Sequence, residues 1–314
     1  MHRLELTGEE VEAIRPLLEE VTARHDSVEE ERFLDEASTY AQELPRRLRA
    51  FLNTFRLREP SGICVVSGYP VEDSRIGKTP SHWREGSGAS TLEEAVFLSL
   101  CGSLLGEAIG WAHQRDGLIC QDLVPIEGHE KEMLGSGSER ELVWHTEDAR
   151  YSHRGDYIGL MCLRNPYAAP TTFASIDEVE VDPEKVQALF EPRFVFLPDP
   201  SHPEDTEREK AAVLFGDPES PYVRFDPYSM EQPDTEEARE AFEYLIQAID
   251  ENLTGIALRP GDTLFIDNYK TVHGRSSFKP RFDGTDRWLK RINVTRDLRK
   301  SRGVRKATAS RVIS

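Results

Sequence analysis

A histidine and a glutamate that stand two positions apart are the first residues in this chain whose types and spacing could bind a metal ion. His145 and Glu147 follow the apolar run that begins at position 141. In an extended segment, residues i and i+2 point to the same side, so an imidazole and a carboxylate can converge on one ion. A second pair of this kind, His202 and Glu204, is interrupted by a proline in a loop-like region, and we interpret it as a chance match.

His273 could supply a third ligand, because it follows a second apolar run, 264–267, far along the chain. Two histidines and one carboxylate on one face leave three octahedral positions open, which suits Fe(II) that must hold a chelating cosubstrate together with O2. A structural zinc site would instead be closed by four ligands. Arg287 follows His273 by 14 residues, and its planar guanidinium could bind the far carboxylate of 2-oxoglutarate.

The elements that must position these residues are short apolar runs separated by turns. Helices at the start, followed by many short strands and one inserted helix, predict a mainly β fold with flanking helices around a sandwich or barrel core. A capping box at 7–10 followed by apolar residues at helical spacing predicts a first helix, and we expect a second helix over 41–55. We expect residues 1–314 to form one domain. Its parts are a helical N-terminal buttress (1–60), a β core (61–296) and a basic C-terminal tail (297–314). The β core contains an inserted lid at about 200–220 and a helix at about 235–252.

Composition excludes several classes of protein. The chain has 39 Lys and Arg against 57 Asp and Glu, a net charge of −18, which argues against partners such as nucleic acid or an anionic membrane surface. No apolar run is long enough to span a membrane, and the N-terminal residues do not resemble a signal peptide. The four cysteines lie in apolar segments without a CxxC motif, which is typical of free thiols in a reducing compartment. We therefore expect a cytoplasmic protein.

The positive charge is concentrated near the C-terminus. Residues 275–314 contain 13 Lys and Arg and 3 Asp, a net charge of +10, so residues 1–274 carry −28. Arg287 lies in this basic segment, as does Arg291.

Several motifs together resemble one known group of enzymes. The chain resembles the clavaminate synthase-like Fe(II)/2-oxoglutarate-dependent oxygenases, and within them the free L-arginine hydroxylases of viomycin and streptolidine biosynthesis. The motifs that carry the resemblance are ELPRRLR at 43–49, HWR at 82–84, GWA at 110–112, WHTEDA at 144–149, LRNP at 163–166, DN at 267–268, VHGR at 272–275 and DRWLKR at 286–291.

The resemblance implies a double-stranded β-helix (jelly roll) core, a bound Fe(II) and 2-oxoglutarate as cosubstrate with O2. It assigns the metal to His145, Glu147 and His273. It assigns the distal carboxylate of 2-oxoglutarate to Arg287, helped by the hydroxyl of Thr172 in preference to its neighbour Thr171.

The resemblance also implies a site for a small-molecule amino-acid substrate. Arg291 would hold the α-carboxylate, and Glu147 would receive the α-ammonium group as well as the metal. Gln114, Asp199 and Asp226 would surround a cationic side chain. Tyr228 stands where the viomycin-pathway enzyme has a second aspartate, so a carboxylate is lost or replaced by stacking of the ring on a planar cation.

The function predicted is hydroxylation of a free cationic amino acid, with L-arginine at Cβ or Cγ as the leading candidate, in peptide-antibiotic metabolism. Desaturation is a close variant, and enduracididine, capreomycidine, homoarginine and lysine stay open as substrates, as does a carrier-bound substrate. A zinc hydrolase on a cupin-like barrel would explain the ligands but would give no role to Arg287 or Thr172. A non-catalytic metal-sensing barrel is a third alternative. The sequence leaves the oligomeric state open.

Overall fold

The computed structural model describes residues 2–85, 88–132, 135–198 and 208–314. The α-helices in these ranges are α1 (Gly8–Arg24), α2 (Glu31–Tyr40), α3 (Arg46–Arg58), α4 (Asp73–Ile76), α5 (Leu92–Ser103), α6 (Pro183–Val186) and α7 (Glu236–Glu251). The strands are β1 (His2–Glu5), β2 (Ile63–Ser67), β3 (Glu107–Trp111), β4 (Cys120–Leu123), β5 (Leu142–His145), β6 (Tyr157–Arg164), β7 (Thr171–Ser175), β8 (Phe194–Phe196), β9 (Glu209–Ala211), β10 (Leu214–Asp217), β11 (Ser220–Val223), β12 (Thr254–Ile256), β13 (Thr263–Asp267), β14 (Thr271–Arg275), β15 (Trp288–Thr295) and β16 (Val312–Ile313).

Most of the strands form two sheets. The major sheet has the order β1-β2-β13-β6-β15-β3-β16, and β4 pairs with the first half of β15, whose second half pairs with β3. The minor sheet has the order β12-β7-β14-β5, and all of its pairings are antiparallel. Two hairpins, β8 with β9 and β10 with β11, lie outside these sheets.

Three apolar clusters hold these layers together. The first packs α1, α2, α3 and α5 on the outer face of the major sheet, where Phe97 and Leu98 join Ile292. The second packs α7 on the outer face of the minor sheet, where Phe242 joins the same cluster as Trp144. The third lies between the two sheets. The sheets are therefore covered by helices outside and face each other inside.

The predicted helix over 41–55 is confirmed for 46–55, which lie in α3, but its start was wrong. The chain instead ends α2 at Tyr40 and begins α3 at Arg46, with Pro45 as the residue before the first helical turn. A proline cannot donate a backbone hydrogen bond and favours the first turn of a helix, so it separates the two segments. The predicted helix near 235–252 agrees with α7, and the side chain of Thr235 caps its first turn.

The segment predicted as a lid is described only in part. Residues 200–207 lie outside the described residues, and 208–220 contain β9, β10 and the first residue of β11. At the C-terminus, β16 pairs in parallel with β3, and Arg305 donates hydrogen bonds to the carbonyls of Ala307, Thr308 and Ser310. No helix among the described residues is long and apolar enough to cross a membrane.

Candidate active site

Two neighbouring strands of the minor sheet bring the two predicted histidine ligands together. His145 at the end of β5 is the register partner of His273 on β14, and their rings lie 4.9 Å apart. Glu147 follows two residues after His145, and its Oε2 lies 3.5 Å from Nε2 of His145 and 3.4 Å from Nε2 of His273. One potential ligand atom from each of the three residues lies within 4.8 Å of the others. This arrangement fits a divalent metal bound by two imidazoles and one carboxylate.

Hydrogen bonds orient these ligands for the metal. Nδ1 of His145 lies 2.9 Å from the carbonyl of Val143, which can only accept, so Nδ1 carries the hydrogen and Nε2 is free to ligate. The side chain of Asn268, buried after β13, accepts from the backbone amide of Glu147 at 2.9 Å and donates to its carbonyl at 3.0 Å. Asn268 therefore fixes the backbone that carries the carboxylate ligand.

The close approach of β5 to β14 requires a glycine between the histidine and the arginine of the VHGR motif. A Cβ atom at Gly274 would lie 2.3 Å from the carbonyl oxygen of Leu142 and 3.0 Å from the amide of Trp144. The first distance is too short for any side chain, and the second would be a tight contact. Gly274 thus permits the strand contact that sets the separation of the two histidines.

Electrostatics favour an ionised Glu147. Burial opposes its ionisation, but the charge of Arg291 and the contacts of the two histidines hold the pKa of Glu147 well below its usual range. Burial also lowers the pKa of His273, which keeps this imidazole neutral. Burial likewise disfavours the charged form of His145, but its hydrogen bond with Glu147 outweighs burial and raises the pKa to about 9. A metal ion bound here would displace that proton.

A cavity of about 500 Å³ opens beside the three residues, between the two sheets. Its walls come from both sheets and from the loops that follow β3 and β11. Side chains that line it include Trp83, Gln114, Arg115, Leu123, His145, Glu147, Ile158, Leu160, Thr171, Asp226, Tyr228, His273, Arg275, Arg287, Leu289 and Arg291.

Arg287 lines this cavity and has no counterion among the described residues. Its side chain is 5% exposed, its Nε is buried without a hydrogen-bond partner, and no carboxylate of the described residues pairs with it. Burial lowers the pKa of Arg287 to about 10, so the guanidinium stays charged at neutral pH. An unpaired buried cation that lines a cavity is suited to a carboxylate ligand.

The structure does not place Thr172 in this cavity. Thr172 is opposite Gly274 in the register of β7 and β14, and its buried hydroxyl lacks a hydrogen-bond partner among the described residues. Thr171 is opposite Arg275 and lines the cavity. Because side chains alternate along a strand, only one of the two threonines can face the metal side. The preference for Thr172 over Thr171 is therefore not supported by the strand geometry.

Arg291 lies on the other side of Glu147 and is held by three acceptors. Its Nη1 donates to Oε1 of Glu147 at 2.7 Å, and its Nη2 donates to Gln121 at 2.8 Å and to Gln114 at 3.4 Å. Gln114 in turn donates to Asp148 at 2.8 Å. Gln121 carries no motif that would have singled it out, and only its register position opposite Arg291 on β4 reveals its role.

The remaining predicted residues lie at the mouth of the cavity, except one. Asp226 and Tyr228 both line it, and Tyr228 is 59% exposed. Asp199 lies outside the described residues. The structure thus brings together the three metal-ligand candidates, both arginines, Gln114, Asp226 and Tyr228 around one cavity.

Comparison with protein families gives one match that covers most of the chain. The profile of the family described as "Taurine catabolism dioxygenase TauD, TfdA family" matches residues 103–293. This range includes the three metal-ligand candidates and both arginines.

Relatives of known function cover the whole chain. The chain is 43% identical over 342 aligned positions to the L-ornithine/L-arginine 3-hydroxylase of Catenulispora acidiphila, and 45% identical over 340 positions to the enduracididine beta-hydroxylase of Streptomyces hygroscopicus. Both alignments cover 100% of each chain. Clavaminate synthase 2 of Streptomyces clavuligerus is 32% identical over 84% of each chain, so the resemblance stated from the sequence is confirmed.

Solved structures of the non-heme iron oxygenase OrfP have the same fold. The complex of OrfP with Fe and alpha-ketoglutaric acid has a TM-score of 0.94 at 41% identity and covers 99% of this chain and 100% of the OrfP chain. The complex with Fe and L-Arg has a TM-score of 0.91 at 38% identity and covers 100% of both chains.

Proposed function

The chain belongs to the TauD, TfdA family of dioxygenases, and from this premise we propose that it is an Fe(II)/2-oxoglutarate-dependent hydroxylase of a free cationic amino acid, with L-arginine as the leading substrate. The observation that carries the proposal is the placement of an unpaired buried arginine, Arg287, in the cavity that also contains His145, Glu147 and His273. A zinc hydrolase would use the three ligands but would leave this cation without a purpose.

His145, Glu147 and His273 would hold the iron, and Arg287 with Thr171 would hold the distal carboxylate of 2-oxoglutarate. When bound, iron with 2-oxoglutarate and O2 supplies the oxidising chemistry, in which one oxygen atom goes to the cosubstrate, giving succinate and CO2, and the other goes to a substrate carbon. The contribution of the protein is to hold the two organic molecules in the orientation that exposes one C–H group to the metal.

Arg291 and Glu147 would fix the backbone end of the amino acid. In the structure these two residues already form an ion pair, in which Nη1 of Arg291 donates a hydrogen bond to Oε1 of Glu147. A substrate α-carboxylate would bind the guanidinium of Arg291, and its α-ammonium group would bind Glu147. Gln114 and Asp226, which line the same cavity, would contact the cationic side chain. Asp199 is proposed for the same purpose on the resemblance alone.

A second candidate substrate is enduracididine, a cyclic guanidine. The observation that favours it is the similarity to the enduracididine beta-hydroxylase, together with Tyr228 at the cavity mouth, whose ring could stack on a planar cation. Ornithine is a third choice, named by the other relative of similar identity.

We also propose that the core is a double-stranded β-helix and that residues 1–314 form one domain. In support, the two larger sheets pack on each other through a shared apolar cluster, and the N-terminal helices share their core with the major sheet.

The test is succinate formation by the Fe(II)-loaded protein across arginine, enduracididine, ornithine, lysine and asparagine, with mass spectrometry of each amino acid. We expect succinate and a hydroxylated product in equal amounts with a guanidine-bearing substrate, and none under nitrogen. Succinate without any modified amino acid would contradict the substrate class, and its complete absence would contradict the reaction.

A further inference from the structure

Arg275 is a second buried cation in the wall of the same cavity as Arg287. It stands two residues after His273 on β14, is 4% exposed and lines the cavity. Its Nη1 donates to the carbonyl of Gly137 and its Nη2 donates to the carbonyl of Arg140 at 3.1 Å. Its Nε is buried without a hydrogen-bond partner. No carboxylate of the described residues pairs with it, so its charge is not neutralised by the protein.

The two guanidinium groups share one aromatic ring. The Cζ atom of Arg275 lies 5.1 Å from the centroid of the Phe278 ring, and that of Arg287 lies 5.9 Å from the same centroid. Phe278 is itself stacked against Tyr167 at 5.3 Å. Both cations therefore contact the same ring, which places them close together in the wall of the cavity.

Four other arginines are buried, and two of them, Arg164 and Arg224, pair with carboxylates; Arg154 and Arg305 form no ion pair among the described residues, but they do not line this cavity. Arg164 pairs with Asp73, and Arg224 pairs with Glu209 at 3.0 Å. A buried charge without a partner is expensive, and two like charges close together add repulsion to that cost. A ligand carboxylate would reduce both the cost of the unpaired charges and the repulsion between them.

We propose that Arg275 is a positioning residue for the cosubstrate. Its two Nη groups hold the backbone of residues 137–140 against the cavity, and its charge, added to that of Arg287, favours a ligand with an ionised distal carboxylate. This inference rests on the proposed function, because it takes 2-oxoglutarate as the ligand. It assigns a role to Arg275 of the VHGR motif, for which the sequence resemblance implied no role.

The experiment compares the wild-type chain with Arg275→Gln, Arg275→Lys and a control, Arg281→Gln. Arg281 is an exposed arginine on the same connection between β14 and β15, so its loss removes a similar charge from outside the cavity. Each protein is loaded with redox-inert Mn(II), and calorimetry with 2-oxoglutarate as the titrant gives the cosubstrate Kd. The KM values for the cosubstrate and for the amino acid are measured on the Fe(II) enzymes, and thermal unfolding reports folding.

We expect Arg275→Gln to raise both the Kd and the KM for the cosubstrate by about tenfold or more, with the KM for the amino acid changed by less than about threefold. Arg275→Lys keeps the charge but loses the planar fork, so we expect an intermediate rise, and Arg281→Gln should match the wild type.

A cosubstrate Kd within about twofold of wild type in a folded Arg275→Gln variant would overturn the inference, even if its melting temperature falls, because a merely structural role predicts that result. If Arg275→Gln does not fold, an unchanged Kd in Arg275→Lys overturns it equally. A wild type that binds 2-oxoglutarate but forms no succinate would contradict the proposed function and leave this comparison of Kd values valid.

Discussion

Glu147 uses its two carboxylate oxygens for different partners. Oε2 faces the Nε2 atoms of His145 and His273, and Oε1 accepts from Arg291. One side chain therefore connects the metal position with the arginine proposed for the substrate. Binding of the amino acid at Arg291 would change the hydrogen-bond partner of a metal ligand, which would couple substrate binding to the metal position.

Substitutions of Arg287 and Arg291 should have separate effects on the KM for the cosubstrate and the KM for the amino acid. We expect Arg287→Gln to raise the KM for the cosubstrate by about tenfold or more and Arg291→Gln to raise that for the amino acid by a similar factor, because each removes a charge-assisted contact to one carboxylate. Steady-state kinetics with each component varied in turn will measure this. Equal effects of both variants on both KM values would contradict the assignment.

Thr171 and Thr172 give a matched pair of variants. Thr171 lines the cavity and Thr172 is opposite Gly274 on the other face of β7. We expect Thr171→Val to raise the KM for the cosubstrate about three- to tenfold, the worth of one hydrogen bond, and Thr172→Val to leave it unchanged. The cosubstrate Kd of both variants measures the effect directly. A larger effect of Thr172→Val than of Thr171→Val would support the assignment made from the resemblance.

This pair also shows what the sequence could and could not predict at the scale of residues. The ligand candidates follow from residue type and spacing, because His145 and Glu147 share a face in any extended segment. The choice between two adjacent threonines depends on which face of β7 points into the cavity. The pairing of β7 with β14 determines that face, and the sequence does not contain this pairing. Gln121 has no distinctive sequence context, and it is found only because β4 pairs with β15 opposite Arg291.

At the scale of elements, a buried network behind Arg291 joins β4 to β15. Asp122 accepts from the indole of Trp288 at 2.6 Å and from Lys290 at 3.0 Å, and both the carboxylate and the ammonium group are almost fully buried. Side chains alternate along β15, so this pair stands on the face opposite Arg291. The network fixes the strand pairing that places Gln121 beside Arg291.

Loss of one partner of this network should be costly. We expect Asp122→Ala to lower the free energy of unfolding by about 3–5 kcal/mol, because it leaves a buried ammonium group unpaired. The double variant Asp122→Leu with Lys290→Met should cost less, since it removes both charges. Urea denaturation measures both, and a single variant no less stable than the double one would contradict the argument.

The contact between α1 and α3 should depend on pH. Glu10 completes the capping box of α1 with Thr7 and accepts from Arg47 of α3 at 2.8 Å and 2.5 Å. The hydrogen bond from Arg47 is the main reason that the pKa of Glu10 falls from 4.5 to about 2. A lowered carboxyl pKa stabilises the fold fully above pH 4.5, and this stability is lost as the pH falls toward 2.

We therefore expect Glu10→Gln to lower the free energy of unfolding by about 0.5–1 kcal/mol at pH 7, a value reduced by solvent screening, and the difference should shrink below pH 4.5. Glu9→Gln is the control, because Glu9 is exposed in the same turn. A difference that grows on acidification would show that the sign is wrong.

Strands were easier to predict than helix boundaries. The apolar run at 264–267 agrees with β13, because every residue of this strand is buried between its neighbours. The helix expected over 41–55 begins later, at Arg46, because Pro45 favours the start of a helix and separates α3 from the segment before it. Strand order and register depend on contacts between distant parts of the chain, which composition and spacing do not contain.

At the scale of the whole molecule, the net charge is −18, yet the charged side chains that line the cavity are mostly cationic. Four arginines line it, Arg115, Arg275, Arg287 and Arg291, together with the acids Glu147 and Asp226. The excess acidic residues elsewhere are mostly exposed. They argue against nucleic acid and anionic membranes as partners, but they do not indicate a particular partner. The basic C-terminal part of the sequence supplies three of these four arginines, so the uneven charge distribution follows in part from the need to hold two carboxylates.

Incorporation of oxygen from oxygen-18 gas tests the central claim most directly. The Fe(II) protein is supplied with 2-oxoglutarate and L-arginine, or with the preferred amino acid of the panel, and both products are analysed by mass spectrometry. The account predicts one labelled atom in the succinate and one in the hydroxylated amino acid, and neither product with His145→Ala. Oxygen that enters the amino acid from water, or product formed without O2, would contradict it.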